Sequence, residues 1–279
     1  MDIGTITGCI LGGFLVLSAI VFGGHDGFAP FWNVPALLIV FGCTAAAVLI
    51  AFPLRPVIKS LASLQKCFAA SKTQPKEIVD QLVFFAESVR REGLLAQESR
   101  LDNVRDPFLA EGLHLIVDGL PPITVENILN SEIEAIQHRN QQERTVFSHC
   151  GRCAPAFGLV GTIIGLVMML SKLDAASVGP GMAVAILTTF YGVLSAHLFF
   201  LPVAEKLRQL SDAEMRIKSM IVRGVLAIQA GEHPRIIQLK MLTFLPPEER
   251  RNEHEVADDD RETIPFPVAE DTEETEQAA

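Results

Sequence analysis

The chain has no surplus of basic residues: 23 Lys and Arg stand against 33 Asp and Glu, a formal net charge of -10. Without a basic stripe it lacks the electrostatic footprint of a nucleic-acid binder, and that partner class is excluded. Cysteines are few and odd in number (Cys9, Cys43, Cys67, Cys150 and Cys153). They describe no disulfide framework. The N-terminal stretch MDIGTITGCILGGF lacks the positive segment of a signal peptide and reads as a retained span. No alternating strand pattern and no internal repeat occurs.

The largest gap is in charge itself. Asp, Glu, Lys and Arg are missing from four apolar stretches, roughly residues 4–22, 34–52, 154–170 and 182–203. Crossing a bilayer takes about 20 residues. Together with a mean hydropathy of +0.33, this places the chain in a membrane class. Basic residues set the orientation. The loop 23–33 has none and the loop 171–181 has only Lys172, whereas Arg55, Lys59 and Lys66 follow the second stretch and Lys206 and Arg208 follow the fourth. Both short loops are therefore expected outside and both termini in the cytoplasm.

The expected architecture is an all-α integral membrane protein with four transmembrane helices. A helical cytoplasmic domain lies between spans two and three, and span four extends into the cytoplasm. The units are a transmembrane hairpin (1–53), the helical cytoplasmic domain (54–153), a channel domain of spans three and four (154–203), a helical extension (204–245) and an acidic tail (246–279). From residue 248 onward thirteen acids face three basic residues, which accounts for the whole net charge. So little apolar content cannot offset the entropy of ordering, and the tail is expected to be disordered.

Helical periodicity fills the cytoplasmic part. Pro75 opens a helix whose apolar face carries Ile78, Val79, Leu82 and Val83. Asp106-Pro107 is an N-cap followed by proline at the first helical position. That helix gathers Leu109, Leu113 and Ile116 and stops at Asp118-Gly119. After Pro121-Pro122, the residues Val125, Ile128, Leu129, Ile133 and Ile136 mark a helix that runs straight into span three. Span four continues as a helix to Gly231.

Within the spans, small and polar residues stand out. Gly4, Gly8 and Gly12 repeat at four-residue steps, as do Gly161 and Gly165. Small residues mark packing faces in lipid, and the spacing leaves open whether the partner is another subunit or the same one. Pro155 and Pro202 each remove a backbone donor near the cytoplasmic end of a span, as a helix-end proline or as a hinge. Thr162, Thr188 and Thr189 offer hydroxyls to a hydrated path, although the residues alone favour a bond back to the carbonyl one turn earlier. Tyr191 and His197 also sit in span four, where a lone His is a proton relay or, as the residues favour, one partner of an interhelical hydrogen bond. Cys150 and Cys153 stand in C-x-x-C spacing beside His149. No second ligand pair follows at zinc spacing and no strand precedes them, so their three-residue step reflects one helix face. The spans hold no carboxylate, so an ion cycle would need an acid from another chain.

Several runs resemble a known family. APAFGLVGTIIGLVMML, then GPGMAVAILTTFYGVL and LPVAEKL, resemble the third and fourth spans of flagellar motor stator A subunits of the MotA/PomA type. RREGLLAQE, LIVDG and GVLAIQAGEHPR also match, in family order, over residues 1–245. The resemblance implies a homo-oligomer, five A subunits around two copies of a single-span, peptidoglycan-binding B subunit that supplies the aspartate. It implies no enzyme and no cofactor, only H+ or Na+ as coupling ion. It also implies contact with membrane lipid and a place in the bacterial cytoplasmic (inner) membrane. Arg90 and Glu98 match the positions that meet the rotor switch protein. Pro155 and Pro202 match the family's functional prolines. Thr162, Thr188 and Thr189 match hydroxyls that sodium-type members place on the ion path. The ExbB/TolQ-type relatives, which energise outer-membrane transport, place one span before the large cytoplasmic segment; this chain places two. The CGRC quartet and the long acidic tail depart from the family.

Overall fold

A computed structural model describes residues 3–23, 29–68, 75–97, 101, 104–171 and 175–245. Residues 24–28, 69–74, 98–100 with Glu98, 102–103 and 172–174, and the tail 246–279 with the disorder expected there, lie outside the described residues. Among the described residues the regular structure is entirely helical. α1 (Ile3–Gly23) is followed by a 3-10 turn, Ala29–Phe31, and by α2 (Val34–Ala51). There follow α3 (Leu54–Phe68), α4 (Pro75–Glu92), α5 (Pro107–Val117) and α6 (Pro122–Ser171). α7 (Ala175–Ser195) passes through a π-turn, Ala196–Phe200, into α8 (Leu201–Gln229), and α9 (Pro234–Leu242) closes the fold.

Two rods organise the molecule. α6 has 50 residues, about 75 Å at 1.5 Å per residue. The helix from Val178 to Gln229 is its equal at 52 residues. Among the described residues three helices are long and apolar enough to cross a membrane: α2, α6 and the Val178–Gln229 rod. In α1 the described apolar stretch is the shorter Ile10–Phe22.

Beyond their apolar stretches, the ends of the rods share one core with α4, α5 and α9. Ile78, Val79 and Leu82 of α4, Leu109, Leu113 and Ile116 of α5, and Val125 and Leu129 of α6 are buried together with Met220, Ile221 and Val225 of α8. These are largely the faces that periodicity predicts. Ile128 differs, being 37% exposed; the inward stripe of α6 runs Val125, Leu129 and Ile133, and Ile128 falls beside it. Asp106 caps α5 as expected, its Oδ1 accepting from Phe108 and Leu109 N–H at 3.0 Å. Gly119 and Gly231, at φ 75° and 71°, end α5 and α8 in the left-handed conformation that glycine permits.

Two π-turns interrupt the membrane helices, Leu38–Gly42 in α2 and Ala196–Phe200 before α8. In the second, Leu201 N–H reaches back five residues to Ala196 O. Pro202 follows directly and has no N–H to give to the preceding turn, so the extra residue absorbs the misfit.

Candidate ion-path face of the channel helices

In the membrane half, α6 and α7 meet backbone to backbone. A Cβ placed on Gly165 would lie 2.6 Å from Ala185 N and Gly181 O, and one on Gly158 would lie 2.9 Å from Thr188 O. From the other side, a Cβ on Gly192 would lie 2.6 Å from Ala154 O. Gly161 faces the Thr188 side chain, whose Cγ2 would be 2.5 Å away. Gly161 and Gly165 thus pack within the subunit, where only glycine lets two backbones approach this closely. The α1 glycines divide differently. Gly12 faces Leu198, whereas nothing stands within 4 Å of a Cβ on Gly8, and Gly4 is exposed.

This seam sorts the three threonines. Thr188 is fully buried, and its hydroxyl is in reach of Val184 O at 2.9 Å and Ala185 O at 3.1 Å. It fills the space left by Gly161. Thr162 and Thr189 instead bring their hydroxyl oxygens to 2.6 Å of each other. Thr162 Oγ1 also reaches Gly158 O and Ala185 O, both at 3.1 Å, and Thr189 Oγ1 lies 3.5 Å from Ala185 O. Thr189 is exposed and Thr162 half-buried. Two hydroxyl protons therefore serve two hydroxyl oxygens and two carbonyls at the edge of the seam. Such an oxygen cluster can accept a hard cation in place of water or relay a proton by rotating its hydroxyls. Ala185 O, its third member, had no signal in the sequence.

Tyr191 lies on α7, with its hydroxyl donating to Phe31 O and accepting from Asn33 N–H at 3.3 Å. Asn33 in turn caps α2 through Ala36 N–H at 3.0 Å. This clasp ties α7 to the start of α2. His197 is exposed on the π-turn.

Where the apolar stretches give way to the charged ones, both rods carry a proline. Pro155 sits inside α6, one turn after Gly151. A Cβ on Gly151 would lie 2.6 Å from Leu201 Cδ2, and Leu201 immediately precedes Pro202. The two prolines therefore flank one tight contact. Beneath it Cys67, Phe147, Val203, Ala204 and Leu207 form a small separate core.

Arg90 is exposed in the last turn of α4. Glu98 lies outside the described residues, so their separation stays open. Cys150 and Cys153 are free and half-buried. Burial, with Cys153 adding to it, pushes the Cys150 thiol up to about 11, so it stays protonated at neutral pH and is a poor nucleophile. The His149 ring meets the Phe52 ring edge-on at 5.4 Å. Among the described residues no three His, Cys, Asp or Glu side chains gather as metal ligands.

Comparison with known proteins agrees with this arrangement. Residues 100–220 match the MotA/TolQ/ExbB proton channel family. Motility protein A of Treponema pallidum is 35% identical over 254 residues, covering 90% of this chain and 96% of that protein. Chemotaxis protein PomA of Vibrio alginolyticus is 36% identical over 246 residues, covering 88% and 96%. The flagellar MotAB stator complex of Bacillus subtilis contains a chain that superposes with a TM-score of 0.82 at 31% identity, covering 88% of this chain and 97% of that one.

Proposed function

We propose a mechanism from one premise: the chain belongs to the MotA/TolQ/ExbB proton channel family, among its motility protein A members. It is a membrane-embedded ion-channel subunit of the flagellar stator, and it works in an oligomer with a B-type partner.

The finer reading is ours. α1 joins α2, α6 and α7 as a fourth span, with both termini in the cytoplasm of a bacterial inner membrane. Five copies surround two B subunits. The observation that carries the ion path is the Thr162–Thr189 hydroxyl pair at 2.6 Å, set beside Ala185 O on a glycine-fixed seam. The channel stretches 154–170 and 182–203 hold no carboxylate, so the partner supplies the acid that binds and releases H+ or Na+. Thr162 and Thr189 meet the ion, and Thr188 sets the spacing of the helices that present them. Pro155 and Pro202 flank the Gly151–Leu201 contact, where a small change of rod angle at the membrane becomes a larger one in the cytoplasm. Arg90, with Glu98, offers the rotor switch protein a charged contact.

The test is swimming speed in cells whose only stator pairs this chain with its B subunit. Speed is followed against sodium at fixed pH. A rise that saturates with sodium supports a sodium path. Full speed without sodium removes that ion and leaves the proton, and immotile cells with assembled stators overturn the reading.

A further inference from the structure

α3 is amphipathic in an inverted sense. Its face toward the protein is small and polar: Ser60, Ser63 and Cys67 are 1%, 2% and 1% exposed. The Ser63 hydroxyl donates to Glu143 on α6, and Ser60 Oγ bonds back to Val57 O at 2.7 Å. Its outer face is apolar: Leu54, Ile58 and Leu61 are 64%, 66% and 59% exposed. They follow one another at steps of four and three, a single stripe on the helix. A helix that meets water turns this stripe inward.

Two further observations say what lies outside. Only Phe52 and Pro53 separate α3 from α2, whose last turn exposes Leu49 (53%) and Ile50 (88%). The apolar stripe thus continues the surface that α2 shows to lipid, around the bend that extended Phe52 makes before Pro53. Beside the stripe, one residue on at each step, stand the exposed Arg55 and Lys59, and α3 contains no acidic residue. An apolar stripe edged by cations is the pattern of a helix lying in the headgroup layer, its long basic side chains reaching anionic lipid.

We propose that α3 is an interfacial helix that lies in the cytoplasmic leaflet and recognises anionic phospholipid headgroups through Arg55 and Lys59. This rests on the membrane reading given above and adds a lipid site to it. Because α3 bonds to α6 through Ser63 and Glu143, the leaflet would hold the cytoplasmic junction at a fixed depth, a short distance below Pro155.

Tryptophan quenching by brominated lipid tests it on the full-length chain in vesicles. Trp32, the sole tryptophan, is replaced by Phe, and a new one is placed by Ile58→Trp or, as a control on α2, by Ile50→Trp. The account expects brominated lipid to quench both. It expects Ile58→Trp to be quenched more by brominated phosphatidylglycerol than by brominated phosphatidylcholine. Arg55→Gln with Lys59→Gln should lower that preference, by up to about five-fold per residue. Quenching at position 50 without quenching at 58 overturns the proposal alone. Access of aqueous iodide to position 58 would then identify water, and access of neither quencher would identify a covering protein surface. Equal quenching by the two lipids overturns the headgroup recognition. Loss of lipid quenching at both positions overturns the membrane reading itself.

Discussion

The same two rods pack in two ways along their length. In the membrane half, α6 and α7 touch through Gly158, Gly165, Gly181 and Gly192, with main-chain atoms as each other's neighbours. In the other half, the rods bring large side chains such as Leu129 and Met220 into one core with Leu82 of α4 and Leu113 of α5. The solvent explains the difference. Lipid gives helices no hydrophobic reason to associate, so the membrane half relies on close backbone approach. Water drives apolar side chains together, so the half outside the apolar stretches relies on interdigitation. The first kind of contact has little slack and holds the hydroxyl pair in register. The second tolerates repacking. Pro155 and Pro202 stand where one kind gives way to the other.

The largest effect should come from breaking the rigid half. Gly165→Leu sets a side chain against Ala185 N and Gly181 O, which cannot swing aside. Assembled stators should be lost altogether, as read by blue-native electrophoresis. Gly8→Ala, with nothing within 4 Å, should leave the subunit's own unfolding unchanged. Breaking the compliant half costs less. Leu82→Ala should remove about 3 kcal/mol from the core it shares with Leu113 and Met220, lowering its melting transition while the protein stays in the membrane. A comparable loss in the membrane half would show that the halves do not differ.

Much of this division is legible in the sequence. Four uncharged stretches, the 3- and 4-residue steps at Ile78, Leu109 and Val125, and the Asp106-Pro107 cap give the helices their place and their inner faces. The sequence also carries the Gly161 and Gly165 step. The α7 glycines of the same seam left no such signal, because Gly181, which meets Gly165, and Gly192, which meets Gly158 and Ala154, are eleven residues apart. Thr188 and Thr189 look equivalent as letters. On a helix, adjacent residues point about 100° apart, so one enters the seam and the other leaves it. The π-turns are equally silent, since nothing in AHLFF marks an extra residue per turn until Pro202 is seen beside it.

At the junction, smaller effects are expected. Pro155→Ala restores a helix donor in α6, so stability should hold or rise while single-motor torque falls. Wild-type torque would remove the hinge from the account. The smallest effect concerns Cys150, whose thiol is held in the protonated form by burial. Its alkylation by iodoacetamide, followed in the unsubstituted chain by mass spectrometry after trypsin cleavage at Arg152 has separated it from Cys153, should rise about tenfold per pH unit from neutrality and level off only near 11, above an ordinary thiol. Fast labelling at pH 7 would reinstate a reactive cysteine.

The central claim is that the seam divides its threonines by role: Thr188 spaces the helices, and Thr162 with Thr189 meets the ion. The most direct measurement is ion-driven torque alongside thermal stability for Thr162→Ala, Thr189→Ala and Thr188→Ala stators at one fixed ion-motive force. The account predicts that the first two lose torque at unchanged stability, and that Thr188→Ala loses stability first. Thr162→Ala stators with full torque, or a Thr188→Ala stator that loses torque at wild-type stability, would contradict it.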